Sequence, residues 1–297
     1  MPTTPNPIDA PSDAPIDELI SAIDTHATPA CVGIDPVFAK MPRALQSLDE
    51  LDAIEQLSTA IIDACKGSVG VVKPQSACFE RYGSSGYAIL ERTIIRARDA
   101  GLVVILDAKR GDIGSSAQHY AKGAADMGAH FITVSPYMGP STIEPFLDAG
   151  LGVFALVRTS NADSDQLQSI QTTDGTIVAQ RVATMISEMG NACMGKSGIS
   201  ALGAVVGATK SAQDGKALRK LMPNQMLLVP GVGAQGGTVN DIRSLVHARA
   251  TTTGQLGVIV NASRSINYPP AQPGQPWQDA IRAAAKAFAD ELGVLCA

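Results

Sequence analysis

What this sequence has little of narrows its class before any motif does. It has no Lys/Arg cluster, and its 23 basic against 28 acidic residues leave a formal charge of -5. That argues against a nucleic-acid footprint or a basic membrane-surface helix. No apolar segment approaches the roughly 20 residues that a bilayer-spanning helix needs. Its five cysteines, Cys31, Cys65, Cys78, Cys193 and Cys296, are scattered without a CxxC pair. They fit reduced thiols in a core better than a disulfide framework or a metal centre. The opening stretch MPTTPNPIDAPSDAPIDELI lacks the basic and apolar regions of a signal peptide. A loose leader over residues 1–15 and a cytoplasmic location are the expectations.

What is present is a chain of 297 residues, 45% of them hydrophobic, long enough for a sizeable core. Eight short apolar runs recur: ACVGID from 30, VGVVKP from 69, LVVILDA from 102, HFITVSP from 130, GVFALVRTS from 152, LGAVVGAT from 202, MLLVPGVG from 226 and LGVIVNAS from 256. Each is rich in Val, Ile and Leu on consecutive positions, as in strands covered on both faces of a parallel sheet. Stretches with helical spacing alternate with them, among them residues 50–65, 86–101, 116–128, 176–190, 212–222, 239–250 and 277–293. Eight alternations exceed the about five to seven strands of a doubly wound sheet and predict a single-domain (β/α)8 barrel over residues 16–297. Such barrels carry their active sites at the C-terminal strand ends. Those ends here offer Asp35, Lys73, the group Asp107, Lys109 and Asp112, then Arg158, Thr159, Ser160 and Asn161, PGVGAQGG and NASR.

Two motif matches need their context. GNACMGKS (190–197) fits GxxxxGK[ST] letter for letter, but it follows a helix and precedes a strand, the reverse of a phosphate-binding P-loop. It is expected to be an ordinary turn on the face opposite the active rim, with Gly195 near the helix end. GVGAQG (231–236) does follow a strand, yet no acidic residue ends the next strand, as a dinucleotide site requires. A mononucleotide or sugar phosphate suits it better. Gly231, Gly233, Gly236 and Gly237 let backbone amides approach an anion, Gln235 can donate, and Arg264 can pair with phosphate oxygens.

The stretch LVVILDAKRGDIG puts four charges directly after a core strand. Residues i and i+2 of a strand share a face, so Asp107 and Lys109 point together into the mouth while Ala108 faces the helices. Lys73 joins them from the next strand, and Asp112 lies beyond the strand end. In such a Lys-Asp-Lys-Asp array each charge is held ionised by its neighbours. Arg110 falls on the outer side, with no chemical role.

DAKRGD, extended as DAKRGDIGSSA, resembles the signature of orotidine 5'-phosphate decarboxylase, in its bacterial, longer-chain type 2 subgroup. VGIDP, VVKPQ, VRTSN, PGVGAQGG and VNASRSI occur in the order that family would have. The resemblance implies a cofactor-free decarboxylation of orotidine 5'-phosphate to UMP, with no metal. It implies that Lys109 protonates the C6 carbanion within a network containing Asp107 and Lys73. Asp35 and Lys73 would hold the ribose hydroxyls, Ser116 would lie next to the ribose, and Ser160 would meet the pyrimidine amide edge. Pro230, Gln235 and Arg264 would border the substrate, the last two at its 5'-phosphate, under a closing loop. Asp112 would reach into the other subunit's site, making the enzyme a homodimer.

Three rivals are distinguishable. The Mg²⁺-dependent sugar-phosphate decarboxylases and aldolases of that superfamily resemble one another in an acidic ligand at the end of strand 2, where Lys73 stands here. A non-catalytic phosphate-binding barrel would have no use for a lysine among aspartates. A Schiff-base aldolase needs a neutral amine, which flanking carboxylates oppose.

Overall fold

The computed structural model describes residues 14–208, 212–231, 238–272 and 274–296. Its eight strands are β1 (Ala30–Ile34), β2 (Val71–Pro74), β3 (Val103–Arg110), β4 (Phe131–Val134), β5 (Gly152–Arg158), β6 (Ser200–Val206), β7 (Gln225–Pro230) and β8 (Val258–Ala262). Every neighbouring pair is parallel, and β1 pairs β8, so the sheet closes into the expected (β/α)8 barrel. All eight apolar runs are strands.

Strand alternation divides the apolar residues into two layers. Val32, Val72, Val104, Val153 and Val260 face outward onto the helices, and Cys31, Val71, Ile105, Phe154 and Ile259 fill the interior. Helix Glu50–Cys65 shows how the outer layer is recruited. Asp49 caps it by accepting the Leu51 amide at 2.9 Å, and Ile54, Leu57, Ile61 and Ile62 bury one stripe at helical spacing. Inside, the Phe131 and Phe154 rings lie 5.2 Å apart. Gly203 of β6 leaves them room, since a Cβ there would meet the Phe154 ring at 2.9 Å and Met226 O at 2.4 Å.

The barrel floor is a helix that the strand–helix pattern does not announce. Helix α1 (Pro15–His26) packs Ile16, Leu19, Ile20 and Ile23 into the interior layer, closing the N-terminal end of the barrel. His130 links it to the sheet: Nδ1 accepts the Val104 amide at 3.0 Å, and Nε2 lies 3.3 Å from Glu18 of α1. Burial, aided by the Arg98 guanidinium, pushes this imidazole down to about 4.

The P-loop look-alike sits at this same floor. Helix Val178–Gly190 ends at its first residue, and the Lys196 and Ser197 amides bind the Asp17 carboxylate of α1 at 3.1 and 3.4 Å. Gly195 lies past the helix end, inside the turn, where a Cβ would be 2.6 Å from Asp17 Oδ1. The helical spacing over 239–250 yields only Val239–Arg243. Beyond it the Leu245 carbonyl turns to Arg219 Nε at 2.7 Å and the His247 amide to Leu256 O at 2.9 Å. A short helix, Glu144–Asp148, fills the β4–β5 connection, where the sequence shows no helical run.

Candidate active site

The mouth of the barrel is organised around one carboxylate. Asp107 is 6% exposed and receives Lys73 Nζ on Oδ2 and Lys109 Nζ on Oδ1, each at 2.5 Å. Thr133 of β4 donates its hydroxyl to Oδ1 at 2.9 Å, and Gln75 donates to Oδ2 at 3.2 Å. Burial alone would raise the Asp107 pKa, but the Lys73 and Lys109 ammonium groups hold it well below the carboxylate range. Burial alone would lower Lys73, but the Asp107 and Asp35 carboxylates outweigh it and keep that ammonium charged.

β3 runs four residues further than its apolar stretch, through Asp107 and Lys109 to Arg110, and it does so irregularly. The β3–β4 register shifts between Leu106 and Arg110, and Lys109 takes the left-handed conformation, with φ 46°. For a residue with a side chain this costs roughly 1–2 kcal/mol. The Lys109 amide donates to Thr133 Oγ1 at 2.9 Å, which helps hold the bulge. Asp107 and Lys109 share the mouth side, and Ala108 packs against the outer core, as strand alternation predicts. Arg110 is structural: it donates to Glu80 at 2.5 Å and lies 4.9 Å over the Tyr120 ring, tying β3 to the helices on either side.

Two cavities meet over this network. The first, about 480 Å³, has an apolar floor of Leu156, Val205 and Leu228, with Lys109, Ser160, Asn161 and Gln168 around its rim. The second, about 320 Å³, is polar and includes Asp35, Lys40, Asn261, Ser263 and Arg264. Lys73, Asp107 and Pro230 line both. A ligand spanning the two would cross the Lys73–Asp107 pair. Asp35 is set by its backbone: Asn267 accepts its amide at 2.9 Å, and the Tyr268 hydroxyl donates to its carbonyl at 2.6 Å. On the other side, Gln168 grips Thr159 twice, accepting its amide and donating to its hydroxyl at 2.9 Å each, which fixes the backbone next to Ser160.

The structure thus gathers Asp35, Lys73, Asp107, Lys109, Ser160, Pro230 and Arg264 around one mouth. It leaves two expected site residues outside it. Asp112 is half-buried, accepts the Ile113 amide at 2.8 Å, and forms no ion pair with Lys73 or Lys109 among the described residues. Ser116 is exposed on helix Gly114–Asp126. Gln235 and three of the loop glycines, Gly233, Gly236 and Gly237, lie outside the described residues, as do residues 1–13 of the leader. Thr133, Gln168 and Lys40 belong to the site without a sequence signal, and Gln75 stands in VVKPQ without an assigned role: Thr133 interrupts an apolar strand, and Gln168 falls in a segment with no motif. No group of three His, Cys, Asp or Glu side chains able to hold a metal ion occurs among the described residues. Nor does any described helix have the length and apolarity to cross a membrane.

Comparison with known proteins agrees with this fold. Residues 18–273 match the family model "Orotidine 5'-phosphate decarboxylase / HUMPS family". An orotidine 5'-phosphate decarboxylase from Rhodopirellula baltica is 38% identical, over 93% of this chain and 97% of that one. A Streptomyces avermitilis crystal structure superposes with TM-score 0.81 at 33% identity, covering 99% of both chains. That of Leishmania donovani OMP decarboxylase gives TM-score 0.75 at 29% identity, covering 95% of this chain and 98% of that one. With the mouth of its barrel built around the strand-3 signature, the chain belongs to the orotidine 5'-phosphate decarboxylase / HUMPS family.

Proposed function

We propose that this protein decarboxylates orotidine 5'-phosphate to UMP, and that the observation carrying this is the Lys73–Asp107–Lys109 array at the junction of the two cavities. The pyrimidine occupies the apolar cavity with Ser160 at its amide edge, and the ribose phosphate lies in the polar one between Asp35 and Arg264. Gln235 completes the phosphate contacts. In this pose the C6 carboxylate comes down over Asp107 and Lys109.

When the C6–carboxylate bond breaks, CO2 leaves and the bonding pair stays on C6. The Lys109 ammonium, already aligned by Asp107, stabilises that charge and transfers a proton to the carbon; the neutral amine is then reprotonated from water. Such fixed charges need no reorganisation as the reaction proceeds. Binding energy from the remote phosphate appears as rate when it holds the pyrimidine against the array. The Lys73 ammonium at the end of β2 opposes a divalent cation there, which separates this reading from the Mg²⁺-dependent branch of the superfamily.

Asp112 and Ser116 serve a second subunit. They lie outside their own cavity, on the segment after β3. Exposed apolar side chains accompany them there and on the neighbouring segment after β4: Ile113, Tyr120, Met138 and Tyr137, the last 81% exposed. Such a patch beside a catalytic carboxylate suits a two-fold interface in which each subunit lends Asp112 to the other.

The test is loss of orotidine 5'-phosphate absorbance on adding the protein in excess EDTA. Turnover is expected to persist in the chelator. No turnover, or turnover only after Mg²⁺ is restored, overturns the proposal.

A further inference from the structure

The polar cavity holds two buried acceptors with no hydrogen-bond partner among the described residues. Along β8, Ile259 belongs to the interior layer while Val258 and Val260 face the helices, so Asn261 points inward. It is 8% exposed and lines the polar cavity. One end of its carboxamide has a partner: Nδ2 donates to Ser263 Oγ at 3.4 Å. The other end, Oδ1, is buried without a partner among the described residues. In the same cavity Asp35 Oδ1 is also buried and unpartnered.

The chain builds for this arrangement. Gly33 of β1 faces Ser263 so closely that a Cβ there would lie 1.9 Å from Ser263 Oγ. The glycine therefore admits the hydroxyl that holds the amide end of Asn261, which leaves the carbonyl end for the cavity. A neutral acceptor also suits the position. A carboxylate there would add to Asp35 and Asp107 in a site that must accept an anionic nucleotide.

Buried acceptors without donors cost about 1–3 kcal/mol each, so a ligand that supplies donors is favoured. A ribose offers two hydroxyl donors, matching the two acceptors. We infer that Asn261 is a sugar-reading residue: its Oδ1 accepts one ribose hydroxyl while Asp35 accepts the other, and the pair selects ribonucleotides over deoxyribonucleotides. This rests on the proposed nucleotide pose, and it adds a specificity residue on β8 to that pose.

Calorimetric binding of UMP, 2'-deoxy-UMP and 3'-deoxy-UMP tests it, alongside turnover of orotidine 5'-phosphate by the wild type. The wild type should prefer UMP to both deoxy nucleotides. Asn261→Ala should weaken UMP about tenfold while leaving unchanged the analogue that lacks its hydroxyl, so that one preference falls by the same factor. Asn261→Asp keeps an acceptor and should keep that preference. If Asn261→Ala does not fold by circular dichroism, Asn261→Leu, close in volume and without an acceptor, carries the same expectation. Unchanged preferences in a folded Ala or Leu variant, or loss of the preference in Asn261→Asp, overturn the inference. A wild type that binds UMP with these preferences but does not turn over orotidine 5'-phosphate overturns the decarboxylase reading and leaves the assignment of Asn261 standing.

Discussion

The Thr133 hydroxyl accepts the backbone amide of Lys109 at 2.9 Å, from the neighbouring strand. The same oxygen donates to Asp107 Oδ1, so one hydroxyl sets both the bulge that presents the lysine and the carboxylate that aims it. Thr133 is in this sense a positioning residue for the proton donor. Replacing it by Val keeps the shape and removes both bonds. We expect kcat for orotidine 5'-phosphate to fall by about 10- to 100-fold, with KM changing far less, and Thr133→Ser to restore most of the loss. Steady-state kinetics on the three proteins decides it, and a wild-type kcat in Thr133→Val would refute the role.

The left-handed backbone at Lys109 makes a second expectation, about stability rather than rate. Lys109→Ala and Lys109→Gly both remove the ammonium and should both be inactive. Glycine occupies that conformation without the Cβ clash, so Lys109→Gly should be the more stable of the two by about 1 kcal/mol. Urea denaturation compares them directly. Equal or reversed midpoints would mean that the strain has been relieved elsewhere.

Shared sites predict complementation. Lys109→Ala and Asp112→Asn chains should each be inactive alone. Their hybrid dimer carries one site with both residues intact, and an equimolar mixture should recover about a quarter of wild-type activity. A mixture that stays inactive, with subunit exchange confirmed by mass spectrometry, would place Asp112 in its own subunit's site.

Acid should loosen the floor of the barrel. His130 titrates near 4 in the folded protein, against 6.5 for an ordinary imidazole, because burial and Arg98 disfavour its charged form. Its pKa is depressed on folding, so the unfolded chain takes up the proton first. The contribution is whole above pH 6.5, declines as pH falls through the window between the two values, and amounts to about 3 kcal/mol. Urea midpoints measured from pH 7 to pH 4 should show the decline. His130→Gln, which has nothing to titrate there, should flatten it.

The barrel is legible in the sequence because both faces of each strand are buried, which writes Val and Ile on consecutive positions. The charges of DAKRGD are legible because nothing else explains them next to a core strand. Thr133 is not, because a lone threonine in FITV looks like any β-branched residue, and its role depends on lying beside the bulge of another strand. The shape of that bulge is equally silent: Lys109 carries no mark of a positive φ. Helix α1 shows its stripe, Ile16, Leu19, Ile20 and Ile23, but its docking place is set by residues from all eight strands. The spacing over 239–250 misleads because Arg219, distant in sequence, draws the Leu245 carbonyl away from the helix.

Helix α1 also orders events in time. Its stripe is made long before the layer it joins is complete: Ile259, in the same interior layer, follows Ile16 by 243 residues. At cellular synthesis rates that interval is about 10 to 50 s. For so long the interior layer that the stripe joins stays incomplete, and a nascent chain must keep it shielded. The last strand to be made closes both the barrel and the interior layer that covers its floor.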